Sequence, residues 1–549
     1  MGVAEPNGGS GSSEHAAAEA QLAIVHALAQ PSFYAHRPAS VEHVQTHISH
    51  VFLAGPYVFK LKKPVRFSFL DFSTRELRRH FCEEELRLNR RLSRAVYLDV
   101  VPIVRRADAT LALGGNGEVL DHVLQMRRLP SDRMLPVLLA ADAVTPAMMD
   151  RLARLMADFH ATAPSGAVVA AHASPEAVAA RWSDTIATMA PFSGTLLPRE
   201  EHALLADFGP RFVATHAELL RARQASGRIR DGHGDLHAEH VCFAEAPAAA
   251  EPHDPQALAP LAPGIYVFDC IEFSPVLRCN DVAAEIAFLT MDLELRGHRD
   301  LAERFARSYA EAANDSSLAK LLPFYASARA CVRAMVESLT SQEPEVDPDR
   351  RADAGVRARR YLRLAVRCAW RAHGPMLIGC MGLSGTGKST LAAGLADLVD
   401  AVVLRTDVIR KRAVGTEPRY SPEAMAAVYE TLAAEAEAAL AAGRTVIADA
   451  TFIRRADRNR LRDVTGRRGL PHVFVECRTE PERVRARLAA RTANDVSDAR
   501  WQTYVEQARV HERLAPDEPC IAVATDGAPE AACAEALRAL WGWRQAAAT

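Results

Sequence analysis

Residues 382–390 read Gly382-Leu383-Ser384-Gly385-Thr386-Gly387-Lys388-Ser389-Thr390, a match to G-x-x-x-x-G-K-[ST] at every fixed position. Before this run, Met376-Leu377-Ile378-Gly379-Cys380-Met381 reads as a buried strand. After it, Leu391 to Leu398 reads as a helix. In that context the glycines let backbone N–H groups close around a polyphosphate, and the helix N-terminus adds its dipole. Residues Gly382 to Thr390 are therefore expected to bind ATP. Lys388 would reach the β- and γ-phosphates, and the Ser389 hydroxyl would hold Mg²⁺.

Outward from this loop, short β-runs at 376–381, 401–404, 445–449, 472–477 and 520–524 alternate with helical segments. The alternation predicts an α/β fold with a five-stranded, mostly parallel sheet over residues 375–549. Its boundary falls at His373-Gly374-Pro375. Asp407 follows the second strand, where a carboxylate could deprotonate an acceptor hydroxyl or simply cap the next helix. Asp449 ends the third strand and is expected near Mg²⁺. Arg483, Arg487 and Arg491 recur every fourth residue. They form either a solvated basic face or a lid in which Arg487 and Arg491 close on the transferring phosphoryl group, with 492–498 as its moving tip.

A second motif lies upstream. Residues 233–240 read His233-Gly234-Asp235-Leu236-His237-Ala238-Glu239-His240, followed by Val267-Phe268-Asp269-Cys270-Ile271-Glu272. Asp235 on a tight turn suits a base for a substrate hydroxyl, and Asp269 after a strand suits a Mg²⁺ ligand. Lys60, on the second strand of a hairpin (47–53 and 57–62), is expected to face the ATP phosphates. Glu85, on the inward stripe of a helix over 73–93 with Phe81, Leu88 and Leu92, would hold it. Lys62 or Lys63 could take the place of Lys60, and Glu84 that of Glu85. Strands at 96–104, 110–113 and 119–126 complete a small lobe over 19–130. Helices, including 148–160 and 203–221, dominate a large lobe over 131–372. Residues 1–18 read as a disordered tail and 245–264 as a loop. His237 reads as a buried structural histidine.

The upstream motifs resemble the aminoglycoside phosphotransferase-like branch of the protein-kinase-like fold, over about residues 40–370. The resemblance implies that Gln125 to Leu129 form the hinge on adenine and that Asp281 supports the catalytic loop. It also implies a metal-holding asparagine where this chain has His240, a nitrogen ligand that Mg²⁺ disfavours. Residues 376–541 resemble the small P-loop kinases that include gluconate kinase, polynucleotide 5′-kinase and zeta-toxin-like kinases. The whole resembles bacterial two-domain fusions of these types. That implies a bilobal α+β kinase-like module joined to a P-loop module, using ATP and Mg²⁺ to phosphorylate a small-molecule hydroxyl. The alternative is an ATP-binding regulatory switch with a degenerate upstream module.

Composition narrows the partners. Of the 549 residues, 49% are hydrophobic and 24% charged, enough core for about two to four domains. A net charge of −2 gives no reason to expect nucleic acid or an anionic membrane. The ten cysteines are scattered without a C-x-x-C pair, the usage of a reduced, cytoplasmic protein. No apolar run is long enough for a membrane span, and the first residues do not read as a signal peptide or a myristoylation site. Spacing does not encode the shape of an acceptor pocket.

Overall fold

Ser49–Ala54 and Tyr57–Lys62 are paired residue for residue across a tight turn. The turn is possible because Gly55 takes a φ of 60°, which a Cβ would oppose. The computed structural model describes residues 21–67, 70–244, 261–344, 346–412, 421–490 and 499–548. The tail 1–18, most of the loop 245–264, Arg491 and the segment 492–498 lie outside them.

The hairpin sits within a six-stranded antiparallel sheet, in the order Val41–Gln45, Ser49–Ala54, Tyr57–Lys62, Glu118–Arg127, Tyr97–Arg105, Leu111–Leu113. Val41–Gln45 is an edge strand absent from the sequence reading. Its mostly exposed residues lack an alternating apolar pattern. Phe52, Phe59, Leu61, Ile103 and Val123 form the sheet's core with Ile24, Leu28 and Tyr34.

The helix Arg75–Ser93 starts where the Thr74 hydroxyl accepts the Leu77 N–H at 3.2 Å. Its buried face differs from the expected apolar stripe. Arg78, Cys82, Glu85, Leu88, Asn89 and Ser93 are buried, while Phe81 and Leu92 are only partly so. That face is largely polar because its groups hold specific partners: Arg78, for instance, is paired with Asp121 at 3.0 Å.

Two short antiparallel pairs carry the upstream motif: Ile229–Asp231 with Cys279–Asp281, and Val241–Ala244 with Gly264–Val267. Helix Val282–Leu295 packs on strand Cys279–Asp281, helix Arg299–Ala312 on Val282–Leu295, and helix Pro146–Thr162 on Arg299–Ala312. The single helix expected over 203–221 is instead two, Arg199–Thr215 and Ala217–Ala225. The break is at His216, whose Nδ1 hydrogen-bonds the Phe212 carbonyl at 3.0 Å.

The C-terminal sheet has five strands, all parallel, in the order Ala401–Arg405, Thr445–Asp449, Leu377–Met381, His472–Arg478, Cys520–Ala524. Leu377–Met381 is central and wholly buried, as a strand covered on both faces must be. The Cα packing groups the chain into two units. One holds the chain up to Val178 together with Ala217–Ala319; the other holds Ala179–His216 and Lys320–Thr549. Within the second, Phe212 stacks on Phe324 at 4.4 Å, Phe208 meets Trp541 at 6.1 Å, and the Trp541 indole donates to Asp207 at 2.9 Å. Among the described residues no helix is long and apolar enough to cross a membrane.

Candidate active site

The upstream motif closes into a charged cluster with Lys60, Lys62 and Glu85 of the first unit. Lys60 Nζ lies 2.8 Å from Glu85 Oε1 and 2.7 Å from Asp269 Oδ1. Lys62 Nζ lies 2.7 Å from Glu85 Oε2 and also pairs with Glu272. Lys60 is thus the lysine that reaches Asp269. Lys63 turns away to Thr46 O at 2.7 Å, and Glu84 pairs with Arg87 at 2.7 Å, so neither substitutes for its neighbour. Burial pushes the Lys60 ammonium down, but Asp269, Glu85 and Glu272 outweigh it and hold it well above its usual value. Sequence reading missed Glu272. Its signal was an acidic residue three positions after Asp269, on the same buried segment.

Asp269 has a φ of 62°, a left-handed conformation that aspartate tolerates better than most residues. The surroundings enforce it. Its N–H donates to Tyr97 Oη at 3.0 Å, Ser93 Oγ donates to the Val267 carbonyl at 2.7 Å, and Asn89 Oδ1 accepts the Cys270 N–H at 2.9 Å. The polar face of helix Arg75–Ser93 therefore positions both Glu85 and the chain on either side of Asp269.

Asp235 sits on the turn that follows Ile229–Asp231. Gly234 makes that turn with a φ of 84°, and an added Cβ would lie 3.1 Å from the Arg278 Cα. Glu285 clamps the turn by accepting the His233 N–H at 2.9 Å, and Asp292 accepts the Ala238 N–H at 2.9 Å. Burial raises the Glu285 carboxyl, but His160 and the His233 contacts prevail and lower it to about 2. His233 Nδ1 accepts the Asp235 N–H at 3.3 Å, so its Nε2 carries the proton it donates to the Phe268 carbonyl at 2.8 Å. Asp235 itself is pushed up by burial, but the hydrogen bond from His237 and the fields of His240, His237 and His233 hold it well below the carboxylate range. Asp269 is also raised by burial and lowered further by Lys60 and His240. Both are ionised at neutral pH.

His240 stands between them, with Nδ1 at 3.6 Å from Asp235 Oδ2 and Nε2 at 3.5 Å from Asp269 Oδ2. His237 is buried, as expected, yet its Nε2 is 3.5 Å from Asp235 Oδ2. Asp281 is buried and paired with Arg223 at 2.7 Å, and it also accepts the Ala283 N–H. This is a supporting position. The carboxylate of Asp269 fits Mg²⁺, whereas the His240 imidazole does not.

In the second unit the loop Gly382–Thr390 joins the central strand to the helix Lys388–Leu398. It leaves the sheet at its carboxyl edge, where open α/β sheets bind ligands. Gly385 and Gly387 have φ values of 87° and 92°. A Cβ on Gly385 would lie 3.0 Å from Val484 and Leu488, so the loop can lie against helix Pro481–Ala489 only as glycine. A cleft of about 310 Å³ opens beside it, lined by Gly387, Lys388, Ser389, Arg487, Thr525 and Pro529 among others. Arg487 donates to the Thr525 carbonyl at 2.5 Å and to the Gly385 carbonyl at 3.5 Å. Arg483, by contrast, is exposed. Sequence reading missed Gln507, which accepts the Ser384 N–H at 2.9 Å from helix Trp501–Val510, and Thr525, which donates to the Thr386 carbonyl at 2.6 Å. Neither carries a motif; both come to the loop through the tertiary fold.

Asp449 is buried at the end of its strand. Its Oδ2 accepts from Arg405 at 3.0 Å, and its Oδ1 has no hydrogen-bond partner among the described residues. A buried, unsatisfied carboxylate oxygen fits a hard cation such as Mg²⁺. Asp407 is not the helix cap. The helix starts at Thr406, and the Asp407 carboxylate pairs with Arg410 at 2.8 Å.

Residues 377–514 match a family model described as an AAA domain. The chain is 33% identical over 425 residues to the uncharacterized protein Rv2004c of Mycobacterium tuberculosis, covering 74% of this chain and 78% of that one. Mb2027c of Mycobacterium bovis, also uncharacterized, matches with the same identity and coverage. Among solved structures, a choline/ethanolamine kinase family protein from Mesorhizobium loti is similar over 62% of this chain and 98% of its own, at 13% identity and a TM-score of 0.34. A gluconokinase from Sinorhizobium meliloti is similar over 31% of this chain and 94% of its own, at 19% identity and a TM-score of 0.26.

Proposed function

The chain belongs to the family of the mycobacterial protein Rv2004c, and we propose that it is an ATP-dependent phosphotransferase acting on a small-molecule hydroxyl. The observation that carries the reading is the glycine loop Gly382–Thr390, set between a buried parallel strand and a helix, with Lys388 facing a cleft and a buried Asp449 oxygen left unsatisfied. Backbone N–H groups of the loop and Lys388 would bind the phosphates and stabilise charge during transfer. Ser389 and Asp449 would hold Mg²⁺, which neutralises phosphate charge when bound. Asp407 would orient or deprotonate the acceptor, and Arg487 would close on the nucleotide. Arg491 is proposed as a lid partner on its sequence position alone. Upstream, Lys60 and Glu85 would hold a second ATP, Asp269 its Mg²⁺, and Asp235 would accept the acceptor's proton.

The reading is tested on the full chain with labelled ATP and a panel of small alcohols, comparing the unmodified protein with Lys388→Ala and Asp235→Asn. Label should reach an acceptor in step with ADP release. Lys388→Ala should cut the downstream share by about 10²-fold or more, as loss of a preorganised charge contact does. The second reading, an ATP-binding switch, is favoured by the histidine wedged between Asp235 and Asp269. ATP binding without labelled acceptor across the whole panel would select it.

A further inference from the structure

We propose that Asp235, His237 and His240 form a binding site for a divalent transition ion of the Zn²⁺ or Co²⁺ class, with Asp269 as its fourth donor. One ligand atom from each of the first three lies within 4.8 Å of the others. His237 Nε2 is 3.5 Å from Asp235 Oδ2, and His240 Nε2 is 3.5 Å from Asp269 Oδ2. Metal–ligand bonds of about 2.0–2.1 Å separate neighbouring donors of a tetrahedral ion by about 3.4 Å. The His237–Asp235 and His240–Asp269 pairs therefore already stand at donor spacing; the His240 nitrogen nearer Asp235 is Nδ1, at 3.6 Å, so bringing Nε2 to both carboxylates takes a shift of the His240 ring.

The orientation of His240 supports this. Its Nδ1 hydrogen-bonds the Asp235 carbonyl at 2.9 Å. A carbonyl can only accept, so Nδ1 carries the proton and Nε2 presents its lone pair. Metal-bound histidines are commonly oriented in this way, with the second ring nitrogen donating to a backbone carbonyl. Two imidazoles with carboxylates suit a borderline ion, while Mg²⁺ prefers an all-oxygen set. His237 and His240 also lie ring to ring, with centroids 4.0 Å apart, and Phe288 walls the site 5.5 Å from His237. Asp235 and His240 keep partial exposure, which leaves the ion a route in.

The inference goes beyond the phosphotransferase reading, because binding is measured without nucleotide. It also has a consequence for that reading. An ion there would take the Asp235 oxygen that would otherwise accept a hydroxyl proton, so metal loading and transfer would compete for one carboxylate.

The test is a Co²⁺ titration of the chelator-treated full chain, followed by visible absorption. One equivalent should give the bands of a nitrogen- and oxygen-ligated ion. Zn²⁺ should bleach them, and a thousandfold excess of Mg²⁺ should not. His237→Gln and His240→Asn should each weaken binding by about tenfold or more. Three results would overturn the proposal: both variants binding like the unmodified chain, displacement by equimolar Mg²⁺, or near-ultraviolet charge-transfer bands showing that a cysteine holds the ion. Circular dichroism checks that each variant is folded. Should either unfold, the unmodified chain decides: its melting temperature should rise with Zn²⁺ and not with the same concentration of Mg²⁺. Equal shifts would sink the proposal.

Discussion

Asp407 lies inside the first turn of its helix, bound to a largely buried Arg410. The capping alternative for this residue is therefore replaced by another structural one, service as Arg410's counter-ion. Asp407→Asn separates that role from catalysis. As a proton acceptor, Asp407 should give a variant that binds ATP normally but transfers about 10²-fold more slowly. As a counter-ion alone, it should lower the melting temperature and leave the transfer rate unchanged. A second single-residue effect is electrostatic. His50 hydrogen-bonds His43 at 3.1 Å, and burial, then Lys63 and His43, lower its pKa from 6.5 to about 4. As pH falls below 6.5 the unfolded chain takes up this proton before the folded one. Stability present above pH 6.5 is therefore lost progressively down to about pH 4. After allowance for solvent screening the loss should be about 1–2 kcal/mol. Urea midpoints at pH 7.5 and 5 should differ less for His50→Gln than for the unmodified chain. Equal pH dependence would show that His50 does not contribute.

At the scale of elements, helix Arg455–Arg468 is docked by one buried ion pair. Arg458 and Glu518 are both fully buried and 2.7 Å apart, and Arg458 also donates to the carbonyls of Phe452 and Glu512. Removing one member of such a pair strands the other charge. Arg458→Met should cost about 3–5 kcal/mol, and adding Glu518→Leu should recover most of it. A single variant as stable as the unmodified chain would show that the pair does not hold the helix. Helix Arg75–Ser93 illustrates how much of an element sequence can reveal. Its approximate limits and the inward placement of Glu85 were legible, because helical spacing is a local signal. Its true buried face was not. Arg78, Asn89 and Ser93 are buried only because partners distant in sequence satisfy them, at Asp121, Cys270 and Val267.

At the scale of the whole molecule, the second unit is discontinuous in sequence. Helix Arg199–Thr215 belongs with the C-terminal sheet, joined to helix Pro529–Ala548 by Phe208 and Asp207 on Trp541. Trp541→Ala should cost this unit about 3–5 kcal/mol, the usual penalty for emptying a large aromatic site. Hydrogen exchange should then show amides of 199–215 and 529–548 losing protection together. Loss confined to 529–548 would mean that the two helices are not one cooperative unit.

Sequence alone determined most of the order of elements around both motifs, the parallel character of the C-terminal sheet, the glycine loop between strand and helix, and the candidates Asp235 and Asp269 with one of Lys60, Lys62 and Lys63 and one of Glu84 and Glu85. These are encoded locally, in glycine spacing, alternating apolar runs and turn residues, so they could be read before any contact was known. Tertiary structure decided between neighbours that sequence treats alike. Lys60 rather than Lys63 and Glu85 rather than Glu84 pair within the charged cluster, because strand and helix each turn one face inward. It alone brought Glu272, Gln507 and Thr525 to their sites. Those meetings join segments through packed backbone, and side-chain spacing along the chain carries no record of such a closure.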